Sequence, residues 1–176
     1  MPDTHYPWYT GVTGDEIEQG DILENCPIFM PSDTVSPTDQ AEAVFNWEMR
    51  DVILLSPSSD LVKGHERSTE VLLAAAWKAS EIKEGYLATM RGLEEARRGN
   101  LPAFHVLAAS TIPGYEAEAR VVDFRRISTV SIGFFRKRAA LGPRLRLLPP
   151  YREHMAHAFA RFISRPSLPV EITPFR

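Results

Sequence analysis

One cysteine, Cys26, is all that the 176 residues contain. A lone thiol closes no internal disulfide, so no covalent staple holds the fold, and such sparing use of cysteine fits a reducing compartment. Long apolar runs are missing too: none approaches the roughly 18 residues that a membrane helix requires. The opening MPDTHYPWYTG lacks the basic start and apolar centre of a secretory leader. A cytoplasmic protein without membrane contact is therefore expected. There is no glycine-rich phosphate loop, no paired-cysteine zinc pattern and no Gly-x-Ser-x-Gly elbow. Those absences exclude the commonest nucleotide, zinc and hydrolase signatures, and no cofactor or metal is expected.

Arginine is nearly missing from the first half. Residues 1–90 hold two arginines and three lysines, and residues 91–176 hold fourteen arginines and one lysine. With acids counted, residues 1–85 carry a net −11 and residues 86–176 a net +8, which together give the overall −3. The division has two readings. Either the basic half presents an anion-binding face, or acidic and basic halves fold against each other within one domain.

What is present is ordinary for a globular chain: 44% hydrophobic and 24% charged residues, long enough to bury a core without staples. One domain over 1–176 is the expectation. Fourteen scattered prolines argue for many short segments. Residues 1–15, with Tyr6, Trp8 and Tyr9, read as an irregular cover for one end of the core. Strand material follows at Ile22-Leu23 and Pro27–Phe29, then a polar, proline-broken loop over 30–40. AVFNWEM alternates and runs on, with a bend near Arg50, into DVILL. TEVLLAAAWKAS, residues 69–80, is ambiguous between the helix that alanine favours and a strand. YLATMRGLEEARRGN predicts a helix with Leu87, Met90, Leu93 and Leu101 inward. AFHVLAA predicts a strand, and EARVVDFRRISTVSIGFF one or two more. RLRLL is a short strand stopped by Pro149-Pro150. YREHMAHAFARFIS is the clearest helix, with Tyr151, Met155, Phe159, Phe162 and Ile163 on one stripe. Six or seven strands with one internal and one C-terminal helix make an α+β arrangement, a small barrel or sandwich with helical decoration.

The order of these segments resembles the PemK/MazF-like toxin family. A Gly-Asp-Ile strand opens the barrel of that family, as Gly20-Asp21-Ile22-Leu23 would here. Its later arginine and apolar strand ending in Leu-Ser are similar to Arg50–Ser56, although Asp51 stands in place of proline. Its next strand ends in a hydroxyl residue; here Val71–Ala76 leads through Trp77-Lys78 to Ser80. Val122-Asp123-Phe124-Arg125-Arg126-Ile127-Ser128-Thr129-Val130 is similar to its closing segment. The resemblance covers about residues 18–138. It implies a small SH3-like β-barrel over about 18–148, with an inserted helix and a C-terminal amphipathic helix over about 151–163. It further implies contact with RNA or DNA, a metal-independent endoribonuclease chemistry and an antitoxin as protein partner. The alternative is a non-catalytic protein–protein interaction module of the same fold.

In such ribonucleases an arginine balances the charge growing on phosphorus while a hydroxyl or base handles the ribose 2′-OH. The resemblance assigns Arg50 to the first task. For the second the candidates are Ser58, Ser59, Asp60 and Ser80; the competing reading makes Arg50 a structural ion-pair partner and the serines and Asp60 a hydrogen-bonded turn. His154 and His157, at i and i+3, are near enough to share a metal but have no evident third ligand. His105 reads as a packed strand histidine and Cys26 as a buried thiol. The candidate nucleic-acid contacts are Arg125, Arg126, Arg136, Lys137, Arg138, Arg144 and Arg146, with aromatics near them for stacking.

Overall fold

Among the described residues the apolar runs condense into seven strands of a single antiparallel sheet. The computed structural model describes residues 6–31 and 45–164. In chain order the elements are β1 (Tyr9–Val12), β2 (Asp21–Pro31), β3 (Phe45–Leu54), β4 (Glu70–Lys78), α1 (Met90–Arg97), β5 (Phe104–Leu107), β6 (Arg120–Ser131), α2 (Ile132–Ala139), β7 (Arg144–Leu147) and α3 (Tyr151–Ile163). The sheet order is β1-β7-β2-β3-β4-β6-β5. The segments starting near Gly20, Arg50, Val71 and Val121 therefore lie side by side, in an α+β architecture. The sheet curls but does not close. Its two ends are brought together by the hydroxyl of buried Tyr9 on β1, which donates to the carbonyl of Ala108 just past β5 at 2.6 Å. The polar loop expected over 30–40 begins inside β2 at Met30 and Pro31, and the rest of it lies outside the described residues.

Continuous apolar runs, rather than alternation, mark the middle strands because both faces of the sheet are covered. On one face Ile22, Ile53, Ala74, Phe124 and Leu147 pack against Met155 and Ala158 of α3. On the other, Leu23, Cys26, Val52, Leu54 and Leu73 pack against Phe135 and Ala139 of α2. The ambiguous 69–80 stretch is a strand: Ala74 and Ala75 sit opposite Ile53 and Val52 of β3. Small side chains suit a strand between two layers, and that packing overrides alanine's helix preference.

Three elements differ from expectation. Part of the 1–15 segment is no irregular cover but the edge strand β1, paired to β7 from Tyr9↔Leu147 to Val12↔Arg144. Residues 132–135, expected as strand material, instead open α2. Ser131 caps that helix by accepting from the Phe134 amide at 3.2 Å, and Phe135 and Ala139, one turn apart, are its buried residues. Finally, α1 starts only at Met90, whose side chain is 82% exposed rather than inward. In α3, Met155 is fully buried as expected, while Ile163 at the frayed end is exposed.

The buried charge is concentrated at Asp21, whose side chain is inaccessible. It accepts from Arg144 at 2.9 Å, from Arg146 at 2.5 Å and from the Glu18 amide at 3.2 Å. Arg144 also donates to the carbonyls of Gly14, Ala139 and Glu16. Two arginines on one face of β7 are thus tied to β2, to the 13–20 loop and to the C-terminal end of α2.

Removing one partner of a buried pair leaves the others desolvated and unpaired. Asp21→Asn is expected to lower unfolding stability by about 3–5 kcal/mol, read as a fall in the urea midpoint; a midpoint within error of wild type would show that Asp21 does not organise this corner. Gly92 offers a second check. A Cβ there would stand 1.9 Å from the carbonyl oxygen of Tyr86, so Gly92→Ala should destabilise by about 1–3 kcal/mol although alanine is the better helix former. A rise in thermal midpoint would reject that close approach.

Candidate functional site

Arg50 occupies the middle of β3, opposite Cys26 of β2, and is only 5% exposed. Its guanidinium pairs with Glu48 two residues back on the same face and lies over the indole of Trp77 at 5.9 Å. Its Nε has no hydrogen-bond partner among the described residues. Burial and then the nearby Arg126 lower its pKa, and Asp123 opposes them. These neighbours come from β4 and β6, because Trp77 pairs with Val121 and Ala75 with Asp123, which puts Trp77 and Asp123 on the face that carries Arg50.

That face opens into a groove of about 650 Å³ whose lining includes Trp77, Tyr86, Phe104, Asp123, Arg125 and Arg126. Arg125 is held in place by both Asp123 oxygens at 2.9 Å and stacks on Phe104 at 4.4 Å. Arg126 is exposed and has no ion-pair or hydrogen-bond partner among the described residues. Aromatic faces, a fixed guanidinium and a free one form a surface on which bases can stack and phosphates be met. The sequence pointed to Arg50, Arg125 and Arg126, and the structure brings all three to one place. It did not point to Trp77, Asp123, Tyr86 and Phe104 as a group. The only signal was an acid and two arginines interrupting the β-branched run of β6.

The remaining basic candidates are otherwise engaged. Arg144 and Arg146 close on Asp21, and Arg146 also reaches Glu18 at 2.6 Å. Arg136 pairs with Glu66 and donates to the Leu61 carbonyl at 2.8 Å. Arg138 donates to the carbonyls of Glu24 and Asn25. Lys137 is exposed on α2. Arg120, absent from the expectations, is 2% exposed and bridges Asp51 at 2.5 Å and Glu24. The division of charge along the chain is thus answered within one fold.

Ser58, Ser59 and Asp60 form a single 3-10 turn beyond the end of β3. Ser58 Oγ accepts from the Gln19 amide at 3.1 Å, and Ser59 Oγ donates to Asp60 at 3.3 Å. Asp60 lies 3.8 Å from Arg67. The neighbouring Ser56 Oγ receives the Leu72 amide, so this turn adjoins the start of β4. Trp77 lies five residues further along that strand, roughly 17 Å at the usual rise. The structure therefore does not bring the turn to Arg50. Ser80 donates to Glu118 at 2.7 Å. Burial pushes the Cys26 thiol up to about 11, against a smaller opposing pull from Arg138, so it is protonated near neutrality and unsuited to nucleophilic attack. Among the described residues no group of three His, Cys, Asp or Glu is placed to hold a metal ion, and no helix is long and apolar enough to cross a membrane.

Compared with known proteins, the chain matches no family model and no curated relative.

His105 on β5 is packed against Phe124, and burial first, then His154 and Arg161, pull its pKa down to about 4. The unfolded chain takes up that proton near the ordinary value of about 6.5, the folded chain only near 4. Stability from this group is therefore complete above about 6.5 and lost as pH falls toward 4. His105→Gln should flatten the stability profile across that window, measured by urea melts at stepped pH. An unchanged slope would rule out His105 as a source of acid sensitivity.

Proposed function

We propose that this protein contacts single-stranded nucleic acid through the groove between β6, Trp77 and the segment 81–87, on a diverged SH3-like barrel of the PemK/MazF type. The observation that carries the reading is the free Arg126 beside the Asp123-clamped Arg125, set among Trp77, Tyr86 and Phe104. The barrel assignment is supported by the adjacency of β2, β3, β4 and β6 and by the approach of the two sheet ends at Tyr9 and Ala108.

Binding is better supported than cutting. Transesterification at a ribose needs a proton acceptor close to the charge-stabilising arginine. Ser58 Oγ receives the Gln19 amide, Ser59 donates to Asp60 within the turn, and both oxygens of Asp123 receive Arg125. Arg50 stands behind Trp77, where it supports the floor of the groove and adds positive potential without direct exposure. In this reading it is a positioning residue. A protein-interaction module is favoured by a different observation: Phe29, Trp47 and Met49 on β2 and β3 are 56%, 58% and 56% exposed.

Fluorescence anisotropy with short single-stranded RNA separates the two. Affinity is expected to fall with salt, and Arg126→Gln to reduce the log–log salt slope by about one phosphate. Tyr86→Ala should weaken binding by about 1–3 kcal/mol, the worth of one stacked base. Arg50→Ala should weaken binding without changing any background of RNA cleavage. Absence of RNA and DNA binding at low salt would leave the protein-interaction reading, and cleavage abolished by Arg50→Ala in a folded variant would replace binding with catalysis.

A further inference from the structure

Strand β5 has a second basic hollow on its other side. Phe104 faces the groove described above, and His105, next along the strand, faces α3. A cavity of about 630 Å³ lies there, between the end of α1, β5 and the outer side of α3. Arg97, Arg98, His105, His154, His157 and Arg161 line it, with the small residues Ala96, Gly99 and Ala160 leaving the space open. Among the described residues no carboxylate lines it. Glu94 of α1 pairs with both Arg97 and Arg98 at 2.7 Å. Glu153 of α3 is held by Arg152. Arg161 has no ion-pair or hydrogen-bond partner among the described residues. His105 Nε2 is shielded from solvent and has no partner either.

Glu94 offsets only part of the charge of Arg97 and Arg98, and Arg161 has no counter-ion among the described residues, so the cavity keeps a positive balance that a bound anion relieves. Arg161 offers a planar fork of donors suited to a phosphate or carboxylate. His154 and His157 are about one helical turn apart on α3, and both line the cavity. Arg97 and Arg98 keep N–H groups beyond those that Glu94 receives. The open shape, and a lining of arginines, histidines and small residues among the described residues, suit a compact, hydrated dianion over a large apolar ligand.

We propose that this cavity binds a dianionic phosphate group, as carried by a small phosphate monoester or by the phosphorylated end of an oligonucleotide. Arg161 holds two of its oxygens, His154 and His157 donate from α3, and His105 closes the inner wall. The site is separate from the Trp77 groove and does not rest on that reading.

The test uses the whole protein and inorganic phosphate, followed by the ring-proton NMR signals of the histidines, with sodium chloride at matched ionic strength as reference. Saturable shifts are expected for His105, His154 and His157 and not for the exposed His65, together with a rise in the His105 titration midpoint from about 4. Arg161→Gln, a surface change that should fold normally, is expected to weaken phosphate binding about tenfold, the loss of one charge-assisted contact. Equal shifts with chloride, equal shifts at His65, or unchanged affinity in Arg161→Gln would overturn the proposal. Two competition arms identify the source. Displacement of phosphate by a 5′-phosphorylated oligonucleotide but not by its 5′-hydroxyl counterpart assigns a nucleic-acid end. Displacement by glycerol phosphate, with neither oligonucleotide competing, assigns a small monoester. Phosphate binding is read without any oligonucleotide and RNA affinity without phosphate, so failure of the groove reading and failure of this one are distinguishable.

Discussion

The buried carboxylate of Asp21 is the constraint from which most of the structure follows. A charge taken wholly out of water persists only when its acceptor positions are filled. Asp21 fills them with Arg144, Arg146 and a backbone amide. Arg144, itself buried, then satisfies its remaining donors on carbonyls from the 13–20 loop and from the last residue of α2. A single side chain therefore sets where β7 lies against β2, and β1 pairs onto β7 in turn. The edge that curls round to Ala108 is positioned by an ion pair, while the centre of the sheet is positioned by apolar packing on both faces.

The same logic recurs at Arg120 with Asp51 and Glu24 and at Arg136 with Glu66. In each case an acid from the first half meets an arginine from the second. Such pairs contribute little net stability when both partners are compared with apolar replacements, but they specify which surfaces meet. Their consequence for function is subtractive. Arginines wholly committed to internal acids and carbonyls are poorly placed to meet a ligand phosphate, whereas Arg126 lies toward the Trp77 groove and Arg161 toward the histidine cavity, on either side of β5. The two faces of one edge strand thus carry the basic surfaces on which both functional proposals stand.

Much of the sheet was legible because burial on two faces writes itself as unbroken apolar runs. DVILL, VVDF and RLRLL became β3, β6 and β7, and the stripe from Tyr151 to Phe162 became α3. What escaped had a competing local signal. Residues 132–135 continue a β-branched, aromatic run, and only Ser131 at the cap and the spacing of Phe135 and Ala139 mark the helix. Glycine is a poor helix former, yet Gly92 is demanded inside α1 by a backbone carbonyl approaching too closely for any Cβ. The candidate site was half visible: Arg50, Arg125 and Arg126 came from the sequence, whereas Trp77, Tyr86 and Phe104 join them only through strand pairing and the turn before α1.

By itself the sequence determined which segments are apolar enough to be buried, that no disulfide helps them, and that acid and base are divided between the halves. Those properties belong to single residues and their near neighbours, so periodicity and composition carry them. Only the tertiary structure decided which arginines are engaged and which are free. Coulomb attraction depends on distance in space, and Asp21 and Arg144 are 123 positions apart in the chain, Asp51 and Arg120 are 69 apart. No local pattern encodes such a pairing; it exists once the sheet has brought the two ends of the chain together.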